Sequence, residues 1–216
     1  MTVPKLAAYD VIVFDLDDTL YSEKDYVNSG YQAISRQIAN LYGIDFEAAI
    51  ANNIQQQNVL RSALLEVGLD EILLPQLIQI YRYHEPKIAL FPKVSEILNT
   101  LKQCNKPMYL ITDGRALTQR LKINALGIAS YFEKIYISEE QGYEKPALHS
   151  FNAISEIESG KRIVYIADNP KKDFIAPKAL GWNAIGVKHI HTRVHPMVIK
   201  QEPDIWLLTI DQLLTE

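Results

Sequence analysis

The sequence has 216 residues, of which 48% are hydrophobic and 22% are charged, and its formal net charge is -4. These values are ordinary for a globular protein, and the weakly acidic balance favours neither nucleic acid nor an anionic membrane as a partner. A single cysteine, Cys104, excludes an internal disulfide. No apolar run approaches the roughly 20 residues that a membrane-spanning helix needs. The first nine residues lack the features of a secretory signal, so we expect a cytoplasmic protein.

The first predicted strand, residues 11–14, is an unbroken apolar run followed by three carboxylates, Asp15, Asp17 and Asp18. Such a run is typical of a strand that is buried on both faces of a parallel sheet. Carboxylates this close repel one another and lose hydration at the end of a buried strand, so we expect a cation nearby. The alternative is a solvated acidic turn, for which Asp is a favoured residue.

The next seventy residues show helical periodicity and no strand alternation. The pattern predicts helices over residues 22–41, 45–67 and 70–83, the last with an interruption at Pro75. Pro86 and Pro92 then bracket an extended connection. We therefore interpret residues 21–87 as a small helical domain inserted after the first strand, and residues 1–20 with 88–216 as the main domain.

From residue 88 onward, strands and helices alternate. The predicted strands cover residues 107–111, 134–138, 162–167, 183–187 and 204–208, and the predicted helices cover residues 94–101, 117–126, 147–157, 171–180 and 211–214. This alternation predicts an α/β fold with a doubly wound parallel sheet.

Two later strands also run into aspartate. One is followed by Thr112, Asp113 and Gly114, and the other by Asp168 and, five residues later, Asp173. In open α/β sheets ligands bind outside the carboxyl ends of the strands, so these strand ends can share one crevice. With Lys145, which precedes Pro146, they would form an acidic pocket suited to a hard divalent cation and a phosphate.

In this order the motifs resemble those of the haloacid dehalogenase superfamily. Asp15, Asp17 and Thr19 match its first motif, Thr112 its second and Lys145 its third. Asp168 and Asp173 match the fourth motif, in which Ala167 stands where a glycine is frequent. The resemblance covers the whole chain and implies a Rossmann-like core with a helical cap, although the cap region matches less specifically.

The resemblance implies a Mg²⁺-dependent phosphatase. Asp15 would be the nucleophile that forms an aspartyl-phosphate, and Asp17 would be the general acid and base. By the same resemblance the carboxylates of Asp15 and Asp168 and the backbone carbonyl of Asp17 would hold the metal. Thr112 and Lys145 would also take part in catalysis. The residues expected to bind substrate are Thr112, Asp113, Gly114, Arg115, Lys145 and Tyr21. Those expected to support the site are Thr19, Asn169 and Asp173.

The expected substrate is a small phosphorylated metabolite, with nucleotide and sugar phosphates as the two classes considered. Three alternatives remain open: a dehalogenase, which by resemblance lacks a carboxylate at the position of Asp17, a phosphomutase, and a non-catalytic domain that binds a ligand or a protein. His189, His191 and His195 could be drawn into a zinc site, but no Cys or carboxylate joins them at zinc-finger spacing. We expect these histidines at the surface or at the substrate rim.

Overall fold

The computed structural model describes residues 3–189 and 198–215. The chain divides into two compact units, Met1–Lys24 with Ile88–Glu216, which we call the core unit, and Asp25–Lys87, which we call the insert. The insert predicted from the sequence, residues 21–87, also ends at Lys87. It begins four residues earlier than the observed insert, which begins at Asp25.

The described part of the core unit contains a six-stranded sheet with the order β3-β2-β1-β4-β5-β6. Every neighbouring pair of strands is parallel. The strands are β1 (Val11–Phe14), β2 (Met108–Thr112), β3 (Lys134–Ile137), β4 (Ile163–Ala167), β5 (Asn183–Val187) and β6 (Ile205–Leu207). The predicted α/β fold with a parallel sheet is confirmed.

β1 lies at the centre of the sheet because it pairs with β2 on one side and β4 on the other. Ile12 is in register with Met108 of β2 and with Val164 of β4. All four residues of β1 are buried, which explains why its sequence is a continuous apolar run rather than an alternating one. The carboxyl ends of β1, β2 and β4 are therefore adjacent, on the side of the sheet where the parallel strands end.

In the described part of the core unit, five helices lie between the strands along the chain. They are α5 (Val94–Gln103), α6 (Ala116–Leu126), α7 (Ser138–Gln141), α8 (His149–Ile157) and α9 (Ile175–Ala179). Short 3₁₀ helices cover Pro4–Leu6, Ala129–Tyr131 and Ile210–Leu214. On one face of the sheet, Phe151 of α8 packs edge-on against Tyr165 of β4, with ring centroids 5.3 Å apart.

The predicted helix over residues 171–180 is wrong in its first half. Residues 170–174 form turns, and α9 is shorter than predicted. The backbone N–H groups of Lys172 and Asp173 both donate to the carbonyl of Asn169. The Asp173 carboxylate in turn accepts from the Asn169 N–H at 2.9 Å. This local pairing competes with a helix start, as is common for Asn and Asp.

The insert is built from helices around its own apolar core. They are α1 (Glu23–Tyr42), which starts in the core unit, α2 (Phe46–Asn52), α3 (Val59–Glu66) and α4 (Leu74–Tyr83), with a 3₁₀ turn over Glu71–Leu73. Its core includes Ile34, Phe46 and Leu64. Across residues 3–189 and 198–215, no helix combines the length and apolarity needed to cross a bilayer.

The single helix predicted over residues 45–67 is in fact two. A polar stretch separates α2 from α3, and Asn58 ends it by accepting from the Arg61 N–H at 3.3 Å, as an N-cap does. Pro75 does not interrupt α4. It lies in the first turn of that helix, where a missing N–H costs nothing.

Of the two positions expected for the histidines, the surface is wrong for His189, and the substrate rim stays a prediction. Its side chain is buried, and its ring stacks on Phe91 with centroids 3.8 Å apart. His191 and His195 lie outside the described residues.

Candidate active site

Asp15 directly follows the buried strand β1, and both of its carboxylate oxygens have partners. Lys145 Nζ lies 2.5 Å from Oδ1, and the hydroxyl of Thr19 donates to Oδ2 at 3.3 Å. The Asp15 N–H continues the sheet by donating to the carbonyl of Ile166 at 2.9 Å. The side chain is 7% exposed. It is therefore held in one orientation at the end of the strand.

Lys145 is a buried ammonium group between two carboxylates. Its Nζ lies 2.8 Å from Asp173 Oδ1, in addition to its contact with Asp15, and donates to the hydroxyl oxygen of Tyr165 at 3.1 Å. Burial alone would lower the pKa of Lys145, but the charges of Asp15 and Asp173 outweigh it and raise that pKa well above its usual value. Lys145 thus stays charged at neutral pH.

Asp15, Asp168 and Asp173 form a cluster in which one oxygen from each lies within 4.8 Å of the others. Burial raises the pKa of Asp15 to about 7; the Lys145 charge opposes this rise and the Asp173 charge adds to it. Hard divalent cations prefer oxygen ligands such as the carboxylates at these strand ends. The donor set present here fits such a cation.

A cavity of about 120 Å³ opens beside this cluster. The lining residues that the structure describes are Asp15, Asp17, Asp18, Glu23, Asp113, Asp168, Asn169 and Lys172. Six of these eight are acidic. A phosphate dianion would be repelled from such a cavity unless a bound cation offset the carboxylates.

Asp17 contributes to the cavity wall, and its carboxylate is held by three side chains. Lys122 Nζ lies 2.7 Å from Oδ1, the Tyr21 hydroxyl donates to the same oxygen, and Gln119 Nε2 donates to Oδ2 at 2.9 Å. Burial alone would raise the pKa of Asp17, but the Lys122 charge and these hydrogen bonds lower it below its usual value.

The turn after β2 is tied to its surroundings by side-chain hydrogen bonds. The Thr112 hydroxyl oxygen accepts from Gln119 Nε2 at 2.5 Å. Asp113 Oδ1 accepts from the backbone N–H of Lys145 at 3.0 Å, and Asp113 Oδ2 lies 2.5 Å from Lys172 Nζ. Gly114 has a φ of 138°, a conformation that glycine tolerates and other residues avoid.

The structure places the remaining predicted substrate-binding residues in different surroundings. Arg115 is half-exposed, with its Nη1 atom 3.8 Å from Glu139 Oε1, and with Gly114 it lines a separate groove of about 510 Å³. The Tyr21 side chain is buried and its hydroxyl is directed at Asp17. The roles assigned to both residues stay predictions.

Sequence reasoning missed four residues around the site: Glu23, Gln119, Lys122 and Lys172. Two of them lie on α6. Gln119 and Lys122 are three residues apart and so share a helix face, and that face is the buried one, whereas Leu117 of the same helix is 54% exposed. The spacing predicts the shared face, but only the structure shows that this face is turned inward.

Comparison with known proteins decides the family. The sequence model described as haloacid dehalogenase-like hydrolase matches residues 12–187. The chain belongs to this family. The hydrolase is 31% identical over 191 residues to the glyceraldehyde 3-phosphate phosphatase of Methanocaldococcus jannaschii, which covers 79% of this chain and 81% of the relative. It is 27% identical over 152 residues to the phosphoserine phosphatase of Thermus thermophilus, which covers 67% of this chain and 59% of the relative.

The fold of the hydrolase is also found among solved structures. The magnesium-bound HAD-hydrolase YfnB of Bacillus subtilis superposes with a TM-score of 0.66 at 18% identity, covering 96% of this chain and 99% of that one. At this identity the likeness shows the fold alone. Together with the two phosphatase relatives, the family match confirms the predicted phosphatase-like member of the haloacid dehalogenase superfamily and the predicted enzyme class, a hydrolase of phosphoric monoesters.

Proposed function

We propose that this hydrolase is a Mg²⁺-dependent phosphatase that cleaves a small phosphomonoester through an aspartyl-phosphate on Asp15. The observation that carries the proposal is the buried pairing of Asp15 with Lys145 beside the carboxylates of Asp168 and Asp173. The charge of Lys145 offsets only part of the negative charge of this cavity. Asp15 can therefore attack an anionic phosphorus centre only when a metal cation is also bound.

In the first step an oxygen of Asp15 forms a bond to phosphorus as the ester oxygen leaves. That oxygen takes a proton from Asp17. Because the Lys122 charge lowers the pKa of Asp17 in the free protein, this step requires the negative charge of the bound phosphate to raise that pKa. In the second step Asp17 removes a proton from a water molecule, which attacks the same phosphorus and releases phosphate from Asp15. The oxygens of Asp15 and Asp168 and the carbonyl of Asp17 would hold Mg²⁺. When bound, it would offset the negative charge of the cavity and of the phosphate.

The phosphatase relatives support a short substrate. Glyceraldehyde 3-phosphate is the first candidate because the M. jannaschii relative is named for it. Phosphoserine is the second because of the Thermus relative. Nucleotide and sugar phosphates, the two classes considered from the sequence, stay proposals. The cytoplasmic location stays a prediction.

A substrate panel tests the proposal. The wild-type protein is assayed for released phosphate with glyceraldehyde 3-phosphate, phosphoserine, glycerol phosphate, a nucleoside monophosphate and 4-nitrophenyl phosphate, each with Mg²⁺ and with a chelator. We expect release from at least one alkyl ester with Mg²⁺ alone. Halide release from 2-haloacids, or phosphate movement within a sugar phosphate without free phosphate, would instead support the dehalogenase or the phosphomutase.

A further inference from the structure

Helix α6 buries polar side chains and exposes an apolar one. Gln119 is 1% exposed and Lys122 is 5% exposed, whereas Leu117 is 54% exposed. Removing a lysine from water is costly unless its charge is compensated, and exposing a leucine forgoes apolar burial. Although Ile123 of the same helix is also buried, apolar packing alone does not explain why Gln119 and Lys122 lie on the inward face.

Both buried side chains contact the same carboxylate. Lys122 approaches Asp17 Oδ1 at 2.7 Å, and Gln119 donates to Oδ2 at 2.9 Å. Because the two contacts fall on different oxygens, they fix the rotation of the Asp17 carboxylate as well as its position. The Tyr21 hydroxyl adds a third donor from the chain segment that follows β1.

Gln119 also connects Asp17 to the turn after β2. The same Nε2 group that donates to Asp17 donates to the Thr112 hydroxyl oxygen at 2.5 Å. Of these residues Asp17 lines the cavity, while Gln119 and Lys122, both among the described residues, are not part of its wall.

We propose that Lys122 and Gln119 are positioning residues that orient the Asp17 carboxylate for proton transfer to the leaving oxygen. The inference rests on the proposed function, in which Asp17 is the general acid and base. It assigns these two residues no contact with the phosphate. Their removal should impair the reaction only where proton transfer by Asp17 is needed.

The test compares Lys122→Met and Gln119→Met, which keep side-chain length and remove the donors. Arg120→Met is the matched control, because Arg120 lies on the same helix, is 43% exposed and pairs with Glu140 at 2.8 Å. For each variant the rate of the first turnover, kcat and KM are measured with glycerol phosphate and with 4-nitrophenyl phosphate, whose phenol leaves without a proton. Thermal unfolding confirms that each variant folds, and Lys122→Arg tests rescue by a retained charge.

We expect kcat for the alkyl ester to fall about 10²-fold in both test variants, as misplacement of a catalytic group does. The aryl ester should lose less than about 10-fold in its first, phenol-releasing turnover, and KM should change little for either. Arg120→Met should match the wild type. Equal losses on both esters in the first turnover, or a rise in KM on both, would show a structural or phosphate-binding role and overturn the inference.

A double-mutant cycle separates this inference from the function on which it rests. In an Asp17→Asn background, Lys122→Met should cost nothing further on the alkyl ester, because the group that it orients no longer transfers a proton. A full additional loss in that background contradicts the inference while leaving the proposed function intact. If Asp17→Asn alone retains wild-type rates on the alkyl ester, the proposed function fails and the positioning role fails with it.

Discussion

The core unit and the insert bury different kinds of side chain. Among the described residues, the buried Asp, Glu and Lys side chains all lie in the core unit, most of them around the cavity. The insert buries a cluster of aliphatic and aromatic residues, and its buried polar residues are Ser29, Ser35 and His84. Burying charges costs stability unless they are paired, whereas apolar burial supplies it. The core unit therefore carries the groups that chemistry needs, and the insert is organised mainly by packing.

The largest expected effect is on catalysis. Asp15→Asn keeps the size of the side chain and removes the nucleophile, so turnover should fall by about 10⁴-fold or more. Asp17→Asn keeps the nucleophile and should release a burst of phenol from 4-nitrophenyl phosphate, followed by a stalled phosphorylated enzyme. Its rate on alkyl esters should fall ~10²- to 10⁴-fold.

A stopped-flow assay with mass spectrometry of the trapped protein measures both variants. Equal losses on aryl and alkyl esters, with no phosphate on the Asp17→Asn protein, would contradict the covalent pathway. Asp15 would then act as a metal ligand only, and the buried charges of the core unit would serve binding.

The next effect concerns the stability of the insert. Phe46 is fully buried in the apolar cluster, so Phe46→Ala should lower the free energy of unfolding by about 3–5 kcal/mol through lost transfer energy and a cavity. Ile54→Ala is the control, since Ile54 is 49% exposed and should change stability by less than about 0.5 kcal/mol. Urea denaturation followed by circular dichroism gives both values. A loss at Phe46 no larger than that at Ile54 would show that the insert does not depend on its apolar core.

A third prediction concerns the metal. Asp168→Ala should weaken Mg²⁺ binding by at least about 10- to 100-fold while leaving the fold in place, because Asp168 belongs to the acidic cluster and not to the apolar core. Isothermal titration calorimetry of the wild type and the variant compares the affinities, with Asp211→Ala, far along the chain in the last 3₁₀ helix, as a control. The assignment of the metal site is wrong if both variants bind Mg²⁺ as the wild type does.

The smallest effect is a pH dependence of stability without metal. Burial, together with the charge of Asp17, raises the pKa of Glu23 from 4.5 to about 7, and burial raises that of Asp15 from 3.8 to about 7. Between the ordinary and the raised pKa values, the folded state binds more protons than the unfolded state. The free energy of unfolding should therefore fall as pH rises from about 4.5 to about 7.

Thermal unfolding in a chelator at several pH values measures this slope. Glu23→Gln should reduce it, since one of the two raised groups is removed, and Mg²⁺ should raise the melting temperature more at pH 8 than at pH 5. A melting temperature of the metal-free protein that increases steadily across this window would show that other groups dominate.

The sheet and its strand ends could be predicted from the sequence because a strand buried on both faces is a continuous apolar run. The apolar runs before Asp15 and Asp168 need no knowledge of distant residues to be recognised. The split between α2 and α3 was missed because the polar stretch between them contains no Gly or Pro that would mark a helix end. The capping contact of Asn58 with the Arg61 N–H, which begins α3, is a local geometry that periodicity does not report.

The contacts around Asp17 and His189 could not be predicted in the same way. Lys122 is 105 residues from Asp17, and Phe91 is 98 residues from His189, so both contacts depend on how strands and helices are arranged in space. A lysine in a helix reads as a solvated surface residue unless the inward face of that helix is known. The residues that were missed are therefore polar side chains that the sequence alone places at the surface and the fold buries.

One carboxylate joins three loops of the site. Asp113, after β2, accepts from the backbone of Lys145 and pairs with Lys172, which lies in the turn after β4. Loops that are already fastened to one another lose little conformational entropy when a ligand arrives. More of the interaction energy is then left for holding the reacting atoms in line. Binding should consequently carry a small entropic penalty from this side of the cavity.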